Sequence, residues 1–418
     1  MKQLVRILLI SLAIALSGCK HNPTPAPAEE PFNGPEYQDA APMVKDGDVV
    51  LATNRNVEKF LTEVTYEDKD WSSTKIYDYY GGFNRVKYNE EGIPDENGKV
   101  VKSPKSDKPE SYSIRWKKKE DAGALTLSLE EPTLKQVKSV KAGACYVVIT
   151  NLVPNTTYTY KVTYDDSGEV AAEGSFSTTG HLHQVFFNNA CRNGRDLGGW
   201  KTLDGKTVKY HKIYRGGRMS STETVDVIGA EEILSEGIGA QLDLRGKDDV
   251  LSAPAVSGLD FCAPVIEQGG TAMLTDINDE GVNKTKQCFD FVLNSVRAGK
   301  GVYFHCSLGR DRTGTLAVLL LGLLGVPEHD ISKEYEVTYF APLGYSCSSS
   351  EKSSYDKDKG GWLFQNNRTK WVYSEVAPYF WKMAGEGGTF AQGVEKYLTT
   401  VAGVPQADID EFRNLMLE

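Results

Sequence analysis

Between Ser111 and Tyr164 apolar and polar residues alternate with period two. The segments "SYSIRWKK" (111–118), "ALTLSLEE" (124–131), "CYVVITNL" (145–152) and "TYTYKVTY" (157–164) carry this pattern. Successive strand residues point to opposite faces, so the pattern predicts short, half-buried strands separated by turns such as Asp166-Ser167-Gly168. After Gly180 the pattern becomes a mixture of strand-like and helix-like segments. "VYFHC" (302–306) reads as a short buried strand. "TGTLAVLLLGLLG" (313–325) is apolar all round, which marks a central buried helix rather than a membrane span. Val326-Pro327 ends it. The expected fold is multidomain: an all-β sandwich over 42–180, then an α/β domain over 181–418 with a central, mostly parallel sheet flanked by helices.

Composition adds exclusions. The chain has 418 residues and a formal net charge of −10, with no long basic run. Phosphate-backbone binding needs a positive face, so nucleic acid is not expected as a partner. The seven cysteines (19, 145, 191, 262, 288, 306 and 347) form no C-x-x-C pair, which suggests neither a zinc site nor a disulfide framework. His181 and His183 alternate and would share one strand face, a strand detail rather than a metal site. No metal or cofactor is expected.

The chain begins "MKQLVRILLISLAIALSGC". Lys2 and Arg6 precede an apolar run, Ile7–Leu16, which is too short for a comfortable span. That is a signal-peptide pattern over 1–18. Its end, Leu16-Ser17-Gly18-Cys19, resembles the lipobox of bacterial lipoproteins. The resemblance implies cleavage before Cys19, lipidation of its sulfur and anchoring in a bacterial cell envelope, periplasmic or at the surface. Residues 19–41 are rich in Pro, Ala and Glu and read as an extended tether.

Within the β region, "ITNLVPNTTYTYKV" followed by "GSFSTTG" resembles the end of a fibronectin type III domain, over Val147–Thr179. Leu152, Pro154, Thr156 and Tyr158 match its tyrosine-corner pattern, in which a buried Tyr bonds nearby backbone through its hydroxyl. Trp71, Tyr77, Tyr79 and Tyr80 cluster earlier. They read as sandwich core and edge, with a carbohydrate or peptide platform as the alternative. The resemblance implies that this domain binds protein or glycan.

The chemistry concentrates in "YFHCSLGRDRTGT" (303–315). Between strand and helix lie Cys306, Ser307, Leu308, Gly309, Arg310, Asp311 and Arg312. Backbone N–H groups at a helix start converge on a concavity that suits an anion. The same field stabilises a thiolate at Cys306 and makes it nucleophilic near neutral pH. Arg312 can fork onto two phosphoryl oxygens. Gly309 lets the backbone curl without a Cβ clash. Thr313 can hydrogen-bond the sulfur, and His305 fixes the loop through backbone contacts.

The string H-C-x-x-G-x-x-R-T-G resembles the signature of the cysteine-dependent protein tyrosine and dual-specificity phosphatases. "NGRDLGGWKTLDGKTVKYHKIYRGGRMS" (193–220) resembles a conserved segment of a bacterial tyrosine phosphatase family, with Gly194 in place of its Phe and Gly216 in place of its Ser. "AQLDLRGKDD" (240–249), "DISKEYEVTYF" (330–340) and the last helix resemble further parts of it. Residues 341–400 read as an insertion that forms a lid or rim over the site.

The resemblance implies metal-free hydrolysis of phosphotyrosine, with dual specificity open, through a phosphocysteine. The substrate would be a phosphorylated protein or a phosphorylated small molecule. A phosphoinositide or inositol-phosphate phosphatase is the alternative enzyme, because related enzymes of that kind carry a lysine in the loop near Arg310. An anchored binding protein with a vestigial phosphatase fold is the alternative of a different class. Arg195-Asp196 and Asp243-Arg245 read as internal ion pairs behind the loop. Arg215 and Arg218 line the substrate entrance or sit on a solvated hairpin. Asp311 is the expected general acid, against Asp276 or Asp279 on an upstream connection and Asp248 or Asp249 after "DLRG".

Overall fold

Period-two alternation builds the first half of the chain in a computed structural model, which describes residues 41–66, 93–94, 100–101, 108–219, 225–341 and 375–418. Residues 1–18, Cys19, the tether up to residue 40 and the Trp71, Tyr77, Tyr79 and Tyr80 cluster lie outside the described residues. The strands of this half are β1 (Asp48–Leu51), β2 (Ile93–Pro94), β3 (Val100–Val101), β4 (Tyr112–Arg115), β5 (Leu125–Glu130), β6 (Lys135–Val140), β7 (Tyr146–Ile149), β8 (Thr157–Tyr164) and β9 (Val170–Thr179). One sheet runs β1-β9-β8-β5-β6, while β4 pairs with β7 and β2 with β3. Within the larger sheet β1 lies parallel to β9 and the other pairs are antiparallel. Leu125, Leu127 and Leu129 alternate inward and share one core with Ile114, Ile149 and Val162. Tyr158 is buried, its ring stacks on Phe176 at 5.3 Å, and its hydroxyl accepts the Val153 N–H at 2.8 Å.

The region read as all-β also contains a helix, α1 (Arg55–Glu63). Asn54 caps it, accepting from the N–H groups of Asn56 and Val57. Val57, Phe60 and Leu61 fall at helical spacing and are buried, but not against the sheets. They join the core of the second half of the chain. A short amphipathic helix with a polar cap was legible as a local signal, but its partner surface was not.

The second half has strands β10 (Arg195–Asp196), β11 (Ile213–Gly216), β12 (Ile238–Asp243), β13 (Asp260–Cys262) and β14 (Gly301–His305). They form a sheet ordered β10-β11-β14-β12-β13. Only β10 runs antiparallel, so the sheet is mostly parallel, as expected. The helices are α2 (Val227–Ser235), α3 (Thr271–Thr275), α4 (Lys284–Arg297), α5 (Asp311–Leu324), α6 (Glu328–Glu336), α7 (Ala377–Ala384), α8 (Phe390–Tyr397) and α9 (Gln406–Met416). β14 is the middle strand. α5 is buried from Thr313 to Leu324 and ends at Gly325, whose φ of +82° suits a residue without Cβ. The described part of 341–400 is not a rim: Val376, Phe380, Phe390, Val394 and Tyr397 lie in the main core, while 342–374 fall outside the described residues. Among the described residues no helix is long and apolar enough to cross a membrane.

Residues 40–418 form one compact unit, and a buried polar cluster joins its halves. His211 Nε2 lies 3.2 Å from Glu131, just beyond β5, and its Nδ1 lies 3.4 Å from Glu236, at the end of α2. Gln136 of β6 donates to Glu236 at 2.7 Å. Burial works to lower the pKa of His211, but hydrogen bonds to Glu131 and Glu236 prevail and raise it to about 10. The unfolded imidazole titrates at about 6.5. A raised folded pKa means the charged pair's stabilisation is full below about 6.5 and is lost as pH rises through about 10. The melting-temperature difference between the native chain and His211→Gln should therefore be largest near pH 6 and shrink toward pH 10. A difference that stays constant over this range would mean that His211 is neutral throughout.

Candidate active site

The central strand sets the site. β14 ends at His305, and the next residue, Cys306, is 3% exposed at the carboxyl end of the sheet. Residues 306–310 then curl back so that α5 begins at Asp311, directly beneath the loop. The first N–H groups of a helix have no partner within it, so this turn presents positive dipole ends to the concavity. Gly309 makes the curl possible. Its φ is +71°, and a Cβ there would stand 2.3 Å from the carbonyl carbon of Gly216. The loop thus lies directly on the turn after β11. Arg218 N–H donates to Ser307 O at 3.3 Å, and the Tyr303 hydroxyl donates to Gly217 O at 2.7 Å. Residue 216 is Gly because a Cβ there would meet the Tyr303 hydroxyl at 2.1 Å.

The thiol is tuned by opposing effects. Burial pushes its pKa up. The Arg312 charge, with the hydroxyl and N–H of Thr313, outweighs burial and sets the net shift below the ordinary thiol value. Among the described residues the buried Thr313 hydroxyl makes no hydrogen bond, which leaves it available to the adjacent sulfur. Arg312 donates one nitrogen to Ile266 O at 2.9 Å and makes no ion pair among the described residues. A fixed guanidinium with unpaired nitrogens beside a thiolate is suited to an anion with several oxygens.

His305 contacts the backbone of the loop. Gln241 Oε1 accepts the Ala255 N–H at 2.7 Å, so its amide nitrogen faces His305 Nε2 at 2.9 Å and donates. The ring proton therefore lies on Nδ1, toward the Cys306 carbonyl at 3.3 Å. Burial lowers the pKa of His305 to about 4, so the ring is neutral. Asp243 and Arg245 form the expected internal pair, two-pronged at 2.7–3.1 Å, and Asp243 also accepts from Leu251 N–H at 3.0 Å.

The other arginines differ from expectation. Arg215 does not line an entrance. It is fully buried, pairs with Glu334 at 2.8 Å and donates to the Gly309 carbonyl at 2.5 Å. Arg195 does not pair with Asp196: it binds the other oxygen of Glu334 at 2.6 Å, while Asp196 accepts from the N–H groups of Gly198 and His211. Side chains alternate on β10, which sends these two residues to opposite faces. Asn193 Nδ2 donates to Gly309 O at 3.0 Å, and its Oδ1 accepts from Arg195. Glu334, Asn193 and Ile266 were not anticipated. The available signal was Glu334 beside Tyr335 and three residues from Ile331, a carboxylate on the buried face of α6 that needed cationic partners. Arg218 is exposed and remains at the rim.

Two carboxylates reach the loop. Asp311 is gripped by Arg310 through both oxygens, at 3.0 and 3.2 Å, and Arg310 is itself buried. Asp249 is exposed and accepts from Ser307 Oγ at 3.4 Å. Asp276 is committed to Lys284 at 3.0 Å. The neighbouring Asp248 and Asp279 have no hydrogen bond to the loop among the described residues. Leu308 is half-buried above the loop backbone. His183, Asp196 and His211 bring ligand atoms within 4.8 Å of one another, but hydrogen bonds already engage each of them. His181 is separate and pairs with Glu58 at 2.6 Å.

A family model described as the tyrosine phosphatase family matches residues 188–418. An inferred tyrosine-protein phosphatase of Cupriavidus necator is 29% identical over 174 residues, covering 37% of this chain and 62% of that protein. A tyrosine-protein phosphatase of Nostoc commune is 29% identical over 136 residues, covering 28% of this chain and 46% of that protein. The chain thus spans less than two thirds of the length of these curated relatives. A solved structure titled as PTPMT1 in complex with PI(5)P aligns over 38% of this chain and 93% of its own, at 14% identity. Its TM-score of 0.22 is too low to bear on fold or substrate.

Proposed function

The chain belongs to the tyrosine phosphatase family, and from that membership we propose that it hydrolyses phosphotyrosine through a phosphocysteine at Cys306. The observation that carries this reading is the Cys306 thiol at the open start of α5, its pKa held below the ordinary value by Arg312, which makes no ion pair among the described residues. The sulfur attacks phosphorus in line, and the bond to the leaving oxygen breaks as that oxygen takes a proton. Loop amides from Ser307 to Arg312 and the Arg312 fork carry the equatorial oxygens. Water then attacks phosphorus, the P–S bond breaks with help from the Thr313 hydroxyl, and a carboxylate takes the water proton. No residue in this scheme requires a metal.

Membership of the tyrosine phosphatase family supports a phosphotyrosine substrate over a phosphoinositide. The intact thiolate and fork argue against a vestigial fold. The buried Tyr158 and its bond to Val153 support a fibronectin type III-like character for the β region apart from α1, with a protein or glycan ligand. Anchoring at Cys19, in a bacterial cell envelope, rests on the Leu16–Cys19 motif.

Cys306→Ser should abolish turnover of aryl phosphates while phosphate or vanadate still binds, as read by calorimetry. Persistent turnover would remove the phosphocysteine. We assign the proton donor to Asp311, whose pair with Arg310 must then open in the substrate complex. Asp311→Asn should slow a phenol-like ester by about 100-fold and a nitrophenyl ester far less. A selective loss in Asp249→Asn instead would move the role to the rim. Mass spectrometry of the mature N-terminus should find an acylated Cys19, and an unmodified start elsewhere would remove the anchor.

A further inference from the structure

The matched family segment begins at residue 188, yet an element well before it touches the support of the phosphate loop. Three contacts join α1 and its flank to α6 and the turn that follows. Lys333 Nζ donates to Leu61 O at 2.9 Å. The Tyr66 hydroxyl donates to the carboxylate of Glu336, and both residues are buried. The Phe60 ring lies 5.8 Å from that of Phe340. These contacts fall at 333, 336 and 340, on either side of Glu334.

Glu334 is the carboxylate that holds both buried arginines, Arg195 at 2.6 Å and Arg215 at 2.8 Å. Arg215 in turn donates to the Gly309 carbonyl. A continuous path of direct contacts therefore runs from α1 through α6 and Glu334 to the loop. α6 is only nine residues long, and its position depends on what packs against it. Charge-assisted bonds at these distances weaken steeply when one partner shifts.

We propose that α1 and Tyr66 are a positioning element for the phosphate loop, so that the chain before the family-matched segment sets the alignment of Cys306. The inference rests on the phosphatase reading above. It separates two roles for residues 42–66: holding the halves together, which any stabilising contact can do, and positioning α6, the helix that carries Glu334.

The test uses the full chain. Tyr66→Phe deletes one hydroxyl and keeps the ring. Phe60→Leu is the second variant, and Leu127→Ala, in the core of the β region, is the control for lost stability alone. Each is read by melting temperature, by kcat and KM on nitrophenyl phosphate, and by the pH dependence of Cys306 alkylation. Displacements of about 1 Å remote from the chemistry can cost about 100-fold in rate. Tyr66→Phe should lower kcat at least about fivefold with KM little changed, and should move the alkylation midpoint to higher pH. Leu127→Ala should lower only the melting temperature. Native kcat and alkylation in both Tyr66→Phe and Phe60→Leu would overturn the proposal, as would equal shifts in Leu127→Ala. A native chain that turns over no phosphate ester would instead sink the phosphatase reading, and the alkylation profiles would still report on positioning.

Discussion

Glu334 sits fully buried between two guanidinium groups, with one oxygen on Arg195 and the other on Arg215. A lone carboxylate at this depth would be strongly disfavoured, and so would either arginine. Together they offset much of that cost: one carboxylate serves both arginines, and the carbonyls of Asn193, Gly309 and Glu334 itself accept further N–H groups, while Arg215 Nε has no hydrogen-bond partner among the described residues. Removing any one partner from such a cluster costs about 3–5 kcal/mol. The consequence for the site is geometric. The cluster fixes the back of the phosphate loop, so the front is free to present its N–H groups and Cys306 to a ligand.

The front and the back use charge differently. Behind the loop Arg195 and Arg215 are both paired with the one carboxylate of Glu334. In front, among the described residues, Arg312 is held through the Ile266 carbonyl and makes no ion pair. Its charge remains available, and it lowers the pKa of a thiol that burial would otherwise raise. A neutral His305 is part of the same arrangement, contacting the Cys306 carbonyl without adding charge behind the loop.

The two halves of residues 40–418 are joined in two distinct ways. The sheet side meets the α/β half through His211, Glu131, Glu236 and Gln136, a polar contact whose strength follows protonation. Helix α1 meets it through apolar burial of Val57, Phe60 and Leu61 in the main core. The first includes a contact whose strength follows the protonation of His211, and the second is apolar.

Sequence by itself determined β4, β5, β7, β8 and β14, the buried α5, and the strand–loop–helix setting of Cys306, Gly309 and Arg312. These are local: period two, an all-apolar run and a strand–loop–helix motif each need only neighbouring residues to specify them. The Asp243–Arg245 pair was legible for the same reason, since the two residues lie only two positions apart at the end of β12. Tertiary structure alone decided where Arg195 and Arg215 point, because their partner Glu334 is more than a hundred residues away and a charge pattern does not specify its counter-ion. It also decided that α1 belongs to the core of the second half, that Val376–Leu398 builds core where a rim was expected, and that Gly216 answers to the Tyr303 hydroxyl. Each depends on which surfaces meet, and hydrophobic periodicity shows that a face is buried without showing what buries it.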